Sequence, residues 1–320
     1  MTAAHIFSSA SPGQARELLL AATPPNASYS QQRLFSVEHV DRALRIGARR
    51  PEWVWAAQDE SGEVLGVVAG WGASHRSTPF ILDFLDLPAQ PEVAVALLDR
   101  AVADCGEPGR ATIEIIYFLS SETELEDPVL RNLVDVLSAS GFRMLVRRKR
   151  YRLEVLAGGI TIPRTELRFD QLAGPHDPRL AAVLAEILVG SLDAHDVDAL
   201  GRADLHTVAR ETAAEYLELD PVDSIFLAYD PGDALVGLVI GGLRGTRDNG
   251  VASFIGVSHR HRGNGYAAQL LGWITKRMVG AGATQILAET DDENFPMAAA
   301  FAAVGYPQAE SRIDFVRYLL

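Results

Sequence analysis

Apolar positions along the chain fall into two kinds of stretch. Runs at 53–58, 64–71, 80–87 and 111–119 are short, bulky and bounded by turn residues, the pattern of strands. Segments 12–22, 37–48, 91–104 and 128–139 instead repeat their apolar residues at helical spacing, with Leu97, Leu98, Ala101 and Val102 along one side of 91–104. Ser11 and Pro12 form an N-cap and first-turn pair, Pro24-Pro25-Asn26 breaks that helix, and Asp59-Glu60-Ser61-Gly62 turns a hairpin. Strands at 5–8 and 143–155 complete a set. After Gly158-Gly159 and Pro163 the order repeats: strand 166–169, helices 178–189 and 205–217, hairpin 224–229 and 234–243, strand 251–257. A turn and helix follow, then strand 285–289, helix 297–303 and a last strand near 313–319.

The repeat extends to single residues. Phe7 matches Phe169, Gly66 matches Gly237, and Gly141-Phe142 matches Gly305-Tyr306. Ten residues after each late glycine comes an aromatic, Tyr151 or Phe315. This is the mark of a duplication. It predicts two domains, 1–155 and 166–320, joined by a linker over 156–165.

The chemistry concentrates between strand 251–257 and the helix after it, where Ser258-His259-Arg260-His261-Arg262-Gly263-Asn264-Gly265 makes a polar turn. Glycines let backbone N–H groups converge without a Cβ in the way, and a helix N-terminus adds unpaired amides and a positive dipole end. A diphosphate suits such a place; a tight βα loop without a ligand is the bland alternative. Arg260-x-x-Gly263-x-Gly265 also has rivals in the chain at 247–252, 277–282 and, one step out of frame, 262–267. Only the frames at Arg260 and Arg262 follow a strand and open a helix, and they describe one turn.

That turn, with the element order around it, resembles the coenzyme A signature of the GNAT N-acetyltransferases, and the chain resembles a tandem GNAT protein over nearly its full length. The resemblance implies an α/β (α+β) fold with two GNAT-like domains, each a mixed, mostly antiparallel sheet flanked by helices. It implies acetyl-CoA as acyl donor and an amine as acceptor. The pantetheine arm would lie between splayed strands 251–257 and 285–289, along the backbone of Ile255 and Val257, with the Val257 N–H facing the thioester carbonyl. Gly263, Asn264, Gly265, Tyr266 and Ala267 would supply cradle amides, and Arg260 and Arg262 charge. Asn294, ahead of a helix closed by Gly305-Tyr306, would contact the coenzyme, although it also suits an ordinary N-cap.

The chain departs from the family at Phe301, where many members carry a tyrosine that protonates the leaving thiolate. A missing acid costs on the order of 10²–10⁴ in rate. Tyr306, Tyr266 or water are the substitutes. An amine of pKa near 10 is mostly protonated at pH 7, so a base is needed. Glu289 is the first candidate; the second is the stretch Asp193-Ala194-His195-Asp196-Val197-Asp198, represented by Asp196. The first half has Asp86-Leu87-Pro88-Ala89-Gln90-Pro91 at the cradle position and no glycine between Gly72 and Gly106, so it is read as catalytically silent.

Charge narrows the partners. Lys plus Arg number 29 against 42 Asp plus Glu, a net charge of −13, which speaks against nucleic acid and suits a small, polar, possibly cationic amine. The basic run Arg147–Arg150 reads as a solvated strand face. No apolar run is long enough to span a bilayer, and the N-terminal residues do not form a signal peptide, so the expected setting is cytoplasmic. Cys105 is the only cysteine and no paired histidines occur at metal-ligand spacing, so no metal is expected. The acceptor's identity and the oligomeric state stay open. Rival readings are an acyl-CoA-binding scaffold, a longer acyl group, or an O-acceptor.

Overall fold

The computed structural model describes residues 4–107, 109–155, 162–245 and 248–319. Most of the expected linker, 156–161, and Arg247 of one rival signature lie outside the described residues.

Helices begin where the chain offers a cap. Ser11 Oγ accepts from Gln14 N at 3.2 Å to open α1 (Pro12–Ala21), and Asp127 and Asp204 do the same for α5 (Pro128–Ala139) and α8 (Leu205–Leu219). The remaining elements of the first half are β1 (His5–Ser8), α2 (Tyr29–Leu34), α3 (Val37–Arg45), β2 (Val54–Gln58), β3 (Val64–Trp71), β4 (Ile81–Asp86), α4 (Pro91–Asp104), β5 (Thr112–Ser120) and β6 (Arg143–Glu154). The second half contributes β7 (Arg168–Gln171), α6 (Arg179–Leu188), α7 (Ala194–Leu200), β8 (Ile225–Tyr229), β9 (Leu235–Leu243), β10 (Asn249–Val257), α9 (Tyr266–Gly280), β11 (Gln285–Asp291), α10 (Phe295–Val304) and β12 (Gln308–Tyr318). Two helices were absent from the sequence reading, α2 and α7. Both are short, and α7 buries no residue fully, so neither has an apolar stripe to reveal it.

The compact units do not follow the sequence halves. One comprises Met1–Arg147 with Glu310–Leu320, the other Arg148–Ala309. Each half therefore lends its last strand to the other half's unit. In the first unit β12 pairs antiparallel with β5, Phe315 opposite Ile115, and the strand order is β1-β2-β3-β4-β5-β12. In the second, β6 pairs antiparallel with β11, Tyr151 opposite Ala288, and the order is β6-β11-β10-β9-β8-β7. The boundary expected at 156–165 is thus displaced to Arg147/Arg148, with a second crossing at Ala309/Glu310.

Charge explains the second pairing. Arg150 Nε lies 2.6 Å from Glu289, and Arg148 Nε 3.1 Å from Asp291, each pair directly opposite in the β6–β11 register. The basic run is therefore not a solvated face in this unit; the Arg148 and Arg150 side chains are mostly buried against acids.

In both units the central pair of strands is parallel and brief. β10 meets β11 only at Asn249↔Gln285, Gly250↔Ile286 and Val251↔Leu287, and just beyond, a bulge between Ala252 and Phe254 shifts its register against β9. The extra residue bends β10 away, so the two strands part. β4 does likewise, meeting β5 only at Ile81 and Leu82, with its own bulge around Asp83. Close approach of β9 to the far end of β10 needs a residue without Cβ: one built on Gly237 would sit 2.2 Å from Gly256 O.

Each bulge is anchored by a polar side chain held by a buried, charged partner. Asp83 pairs with Arg49 at 2.8 Å, both buried, while Ser253 Oγ donates to Asp220 at 3.0 Å. Apolar residues pack on both faces of each sheet, as the helices on either side require: around Trp55 and Leu97 or Phe84 and Val40 in one unit, around Phe301 and Leu271 or Leu184 and Leu227 in the other.

Two outcomes follow. A fragment covering 163–320 carries β12 without β5 and β11 without β6, and should be insoluble or lack a cooperative urea transition; a well-dispersed amide spectrum for it would contradict the strand exchange. Arg49→Met strands the Asp83 carboxylate in the core and should lower urea stability by about 3–5 kcal/mol, with much of the loss recovered in Arg49→Met/Asp83→Leu.

Candidate active site

The parting of β10 from β11 leaves backbone groups without a strand to pair with. Ser258 N donates to Val236 O on β9 at 2.8 Å. Amides alternate in direction along a strand, so those of Val257 and Ile255 point the other way, into the gap.

Past Val257 the chain makes a single turn of 3₁₀ helix and reaches the glycines. Gly263 and Gly265 sit at φ +82° and +72°, the left-handed region, and Gly265 is the N-cap of α9. A Cβ built on either meets no atom of the protein within 4 Å. The N–H groups of Gly263, Asn264 and Gly265 have no acceptor among the described residues, and those of Tyr266 and Ala267 belong to the unpaired first turn of α9. Five adjacent amides around open space form an anion cradle, and a diphosphate fits it.

The side chains of this turn mostly hold the turn itself. Asn264 Nδ2 donates to His261 O at 3.0 Å, leaving its backbone for a ligand. Arg262 was expected to add charge to the cradle. Its guanidinium instead donates to Ile187 O at 2.5 Å, Val189 O at 2.9 Å and Gly190 O at 2.7 Å, the open carbonyls at the end of α6, and to Val257 O at 3.3 Å. It pins α6 to the tip of β10, and burial lowers its pKa. Arg260 is 71% exposed, 3.5 Å from Glu186.

Asn294 is the N-cap of α10: its Oδ1 accepts from Met297 N at 3.2 Å, while its amide nitrogen has no partner among the described residues. Both of its expected roles remain compatible with one conformation. Tyr306 is a correction. Its hydroxyl shares a 2.7 Å hydrogen bond with Thr275 of α9 inside the core, and burial raises its pKa further. A phenol so committed is out of position to protonate a leaving thiolate. Phe301 lies in the same core, 1% exposed, with the ring of Tyr151 stacked on it at 4.1 Å.

On the opposite face of β11 an acidic cluster gathers. Asp193 caps α7 and bonds Arg148 Nη2 at 3.0 Å; Asp291 accepts from Ala194 N at 2.7 Å; Asp196 accepts from Ser191 Oγ at 2.6 Å. Stretch 193–198, expected as a loop, is thus a cap and the first turns of a helix. Burial, reinforced by the Asp193 charge, pushes Asp196 up to about 6 and raises Asp291. Burial also opposes Asp193, but its hydrogen bond with His195 and the Arg148 charge outweigh that and hold it low. Arg262 and Tyr216 feel the Asp196 charge, and Tyr216 lies against Phe254 of β10, so the cluster borders the gap. Glu289, by contrast, is held by Arg150.

Sequence reading missed Arg148, Asp291 and Tyr216. The one signal available was complementarity between a basic run at 147–150 and an acidic one at 289–293. An open pocket of 860 Å³, lined by Arg244, Trp273 and Arg277 among others, lies at the C-terminal end of α9, away from these groups. Among the described residues no helix is long and apolar enough to cross a membrane.

Comparison with known proteins agrees with this geometry. Residues 188–306 match the acetyltransferase (GNAT) family, a span containing the gap, the cradle and α10. A tandem GNAT protein from the clavulanic acid biosynthesis pathway, solved without AcCoA, aligns with 99% of this chain and 98% of its own at 16% identity, TM-score 0.55. A GCN5-related N-acetyltransferase from Sphaerobacter thermophilus aligns with 98% of this chain and 95% of its own at 13% identity, TM-score 0.61. No curated protein matches the sequence. At such identities the structures speak for the fold, and the match over 188–306 speaks for the family. Residues 188–306 match the acetyltransferase (GNAT) family, and the chain as a whole has the fold of tandem GNAT proteins.

Proposed function

We propose that the unit formed by Arg148–Ala309 transfers an acetyl group from acetyl-CoA to the amine of a small cationic molecule. The observation that carries the acceptor class is the charge balance beside the gap. Three carboxylates, Asp193, Asp196 and Asp291, gather around the guanidinium of Arg148, and two of the three have raised pKa values. Such a cluster favours an added positive charge, which a protonated amine supplies.

The residues then have separate tasks. The amides from Gly263 to Ala267 hold the diphosphate, and the amide nitrogen of Asn294 is placed to add a contact. The backbone N–H groups of Ile255 and Val257 align the acyl arm, with Val257 N–H stabilising the negative charge that develops on the carbonyl oxygen. Asp196 takes the proton from the ammonium, because a carboxyl titrating at about 6 is ionised at neutral pH yet still basic. Glu289, the first candidate for that role, serves better as the counter-charge that fixes Arg150. The cytoplasm is the setting this reading assumes.

The other unit is proposed to be catalytically silent. Among the described residues from Glu63 to Glu107 no backbone enters the left-handed region, so the turn after β4 has no counterpart of Gly263 and Gly265. Pro88 is buried over Gly66, and the Asp86 carboxylate in this turn accepts from Thr23 N at 3.0 Å.

Calorimetric titration of the intact chain with coenzyme A should show one site. Gly263→Val should weaken binding at least about tenfold, since a β-branched residue at this φ costs roughly 1–2 kcal/mol before its side chain meets phosphate. Two saturable sites, or unchanged affinity in the variant, would refute the assignment. In thiol-release assays over a panel of small diamines and amino sugars, kcat/KM should fall as pH drops through about 6, where Asp196 becomes protonated and loses its basic form. Asp196→Asn should lose that acid limb and about 10²–10⁴ in rate; a variant keeping the wild-type profile would move the base elsewhere.

A further inference from the structure

Resting on that reading of the Arg148–Ala309 unit, we propose that Tyr151 is the general acid that protonates the departing coenzyme A thiolate. Position 301 has only carbon to offer, and Tyr306 is tied to Thr275. Tyr266 opens α9 at the cradle, the end that would hold the diphosphate rather than the thioester.

The ring of Tyr151 lies against Phe301 with centroids 4.1 Å apart and planes 16° from parallel. A phenol is therefore stacked on the very side chain whose position carries the family's acid. Its level along the sheet also fits. Tyr151 is opposite Ala288, and Leu287, one residue earlier, is the last position of β11 paired to β10. Tyr151 is thus level with the start of the gap, on the strand beyond β11. The residue is 6% exposed, yet its hydroxyl makes no hydrogen bond to the described residues and is not sealed in the core, so the proton is available to a ligand. Burial, with the Asp292 charge behind it, raises the phenol's pKa and keeps it protonated at neutral pH.

The step balances without another reagent. Asp196 passes the ammonium's proton to water before attack; the free amine's lone pair then forms the C–N bond, its surplus proton goes to the re-ionised Asp196, and the C–S bond breaks with its electron pair on sulfur. The Tyr151 O–H proton passes to that sulfur, and the phenolate recovers a proton from water. A side chain from the first half of the sequence, brought by β6, then completes the site of the second.

The test needs no acceptor. The thiol of coenzyme A bound to the full-length protein is titrated by its thiolate absorbance. A phenol donor stabilises the thiolate, so the bound thiol should titrate below the value measured for free coenzyme A in the same buffer. Tyr151→Phe keeps the stacked ring and should raise that pKa by about one unit, a tenfold loss of thiolate at a given pH, while affinity at pH 6, where the thiol is neutral, stays within twofold. Adding Phe301→Tyr should restore the lower value. An unchanged titration in Tyr151→Phe overturns the proposal and leaves the coenzyme site standing. Weakened binding at pH 6 with no change in thiol pKa assigns Tyr151 to packing and also overturns it. Absence of coenzyme A binding to the wild-type chain overturns both readings.

Discussion

Everything proposed for this protein depends on one extra residue in β10. Had the strand continued in register beyond Val251, its outward amides would have been consumed by β11 and the sheet would have closed. The bulge at 252–254 ends the pairing after three residues and bends β10 away, while β9 follows it to Val257. Ile255 and Val257 then present N–H groups with no acceptor among the described residues on that side. Backbone polar groups left open in a folded domain call for a partner, and an acyl-pantetheine arm is an extended chain with amides of its own.

Around that opening, charge is arranged by elements distant in sequence. β6 brings Arg148 and Arg150 to the acids of β11, and α7 brings Asp193 and Asp196 to the same edge. Arg262 ties the end of α6 to the tip of β10 through carbonyls. The guanidinium of Arg262 is thus spent on positioning, and the cradle's attraction for phosphate rests on amides and the dipole of α9. Amides fixed by glycine turns cannot swing away as a long side chain can, so they bind with less loss of conformational freedom.

How much of this was legible in the sequence follows from range. Element order, the duplication and the cradle are local patterns, and the glycines at 263 and 265 need only their own backbone angles to be understood. The exchange of closing strands was not legible, because the apolar pattern of 143–155 says that a strand forms and not which edge it joins. The acidic cluster draws on β6, α7 and β11, whose residues meet only after folding. Tyr306 misled because a Gly-aromatic pair reads alike whether its hydroxyl faces a cleft or, as here, Thr275.

The two units separate what makes the gap from what makes the coenzyme site. β4 and β10 both carry a bulge, both part from their parallel neighbour, and both anchor the bulge with a polar side chain on a buried, charged partner, Asp83 to Arg49 and Ser253 to Asp220. The parting of strands therefore belongs to the fold and survives without a cradle. The difference lies a few residues on. In one unit Gly237 gives β10 room to run on to Val257 and its glycine turn; in the other the matching Gly66 has the Pro88 ring 2.5 Å from where its Cβ would be. The space that in one unit leads the chain toward an anion is filled in the other by a side chain that lacks an N–H to offer it. On the proposed assignment, loss of a coenzyme site by such a substitution would leave core and bulge intact, in keeping with the packing at Trp55, Phe84 and Leu97.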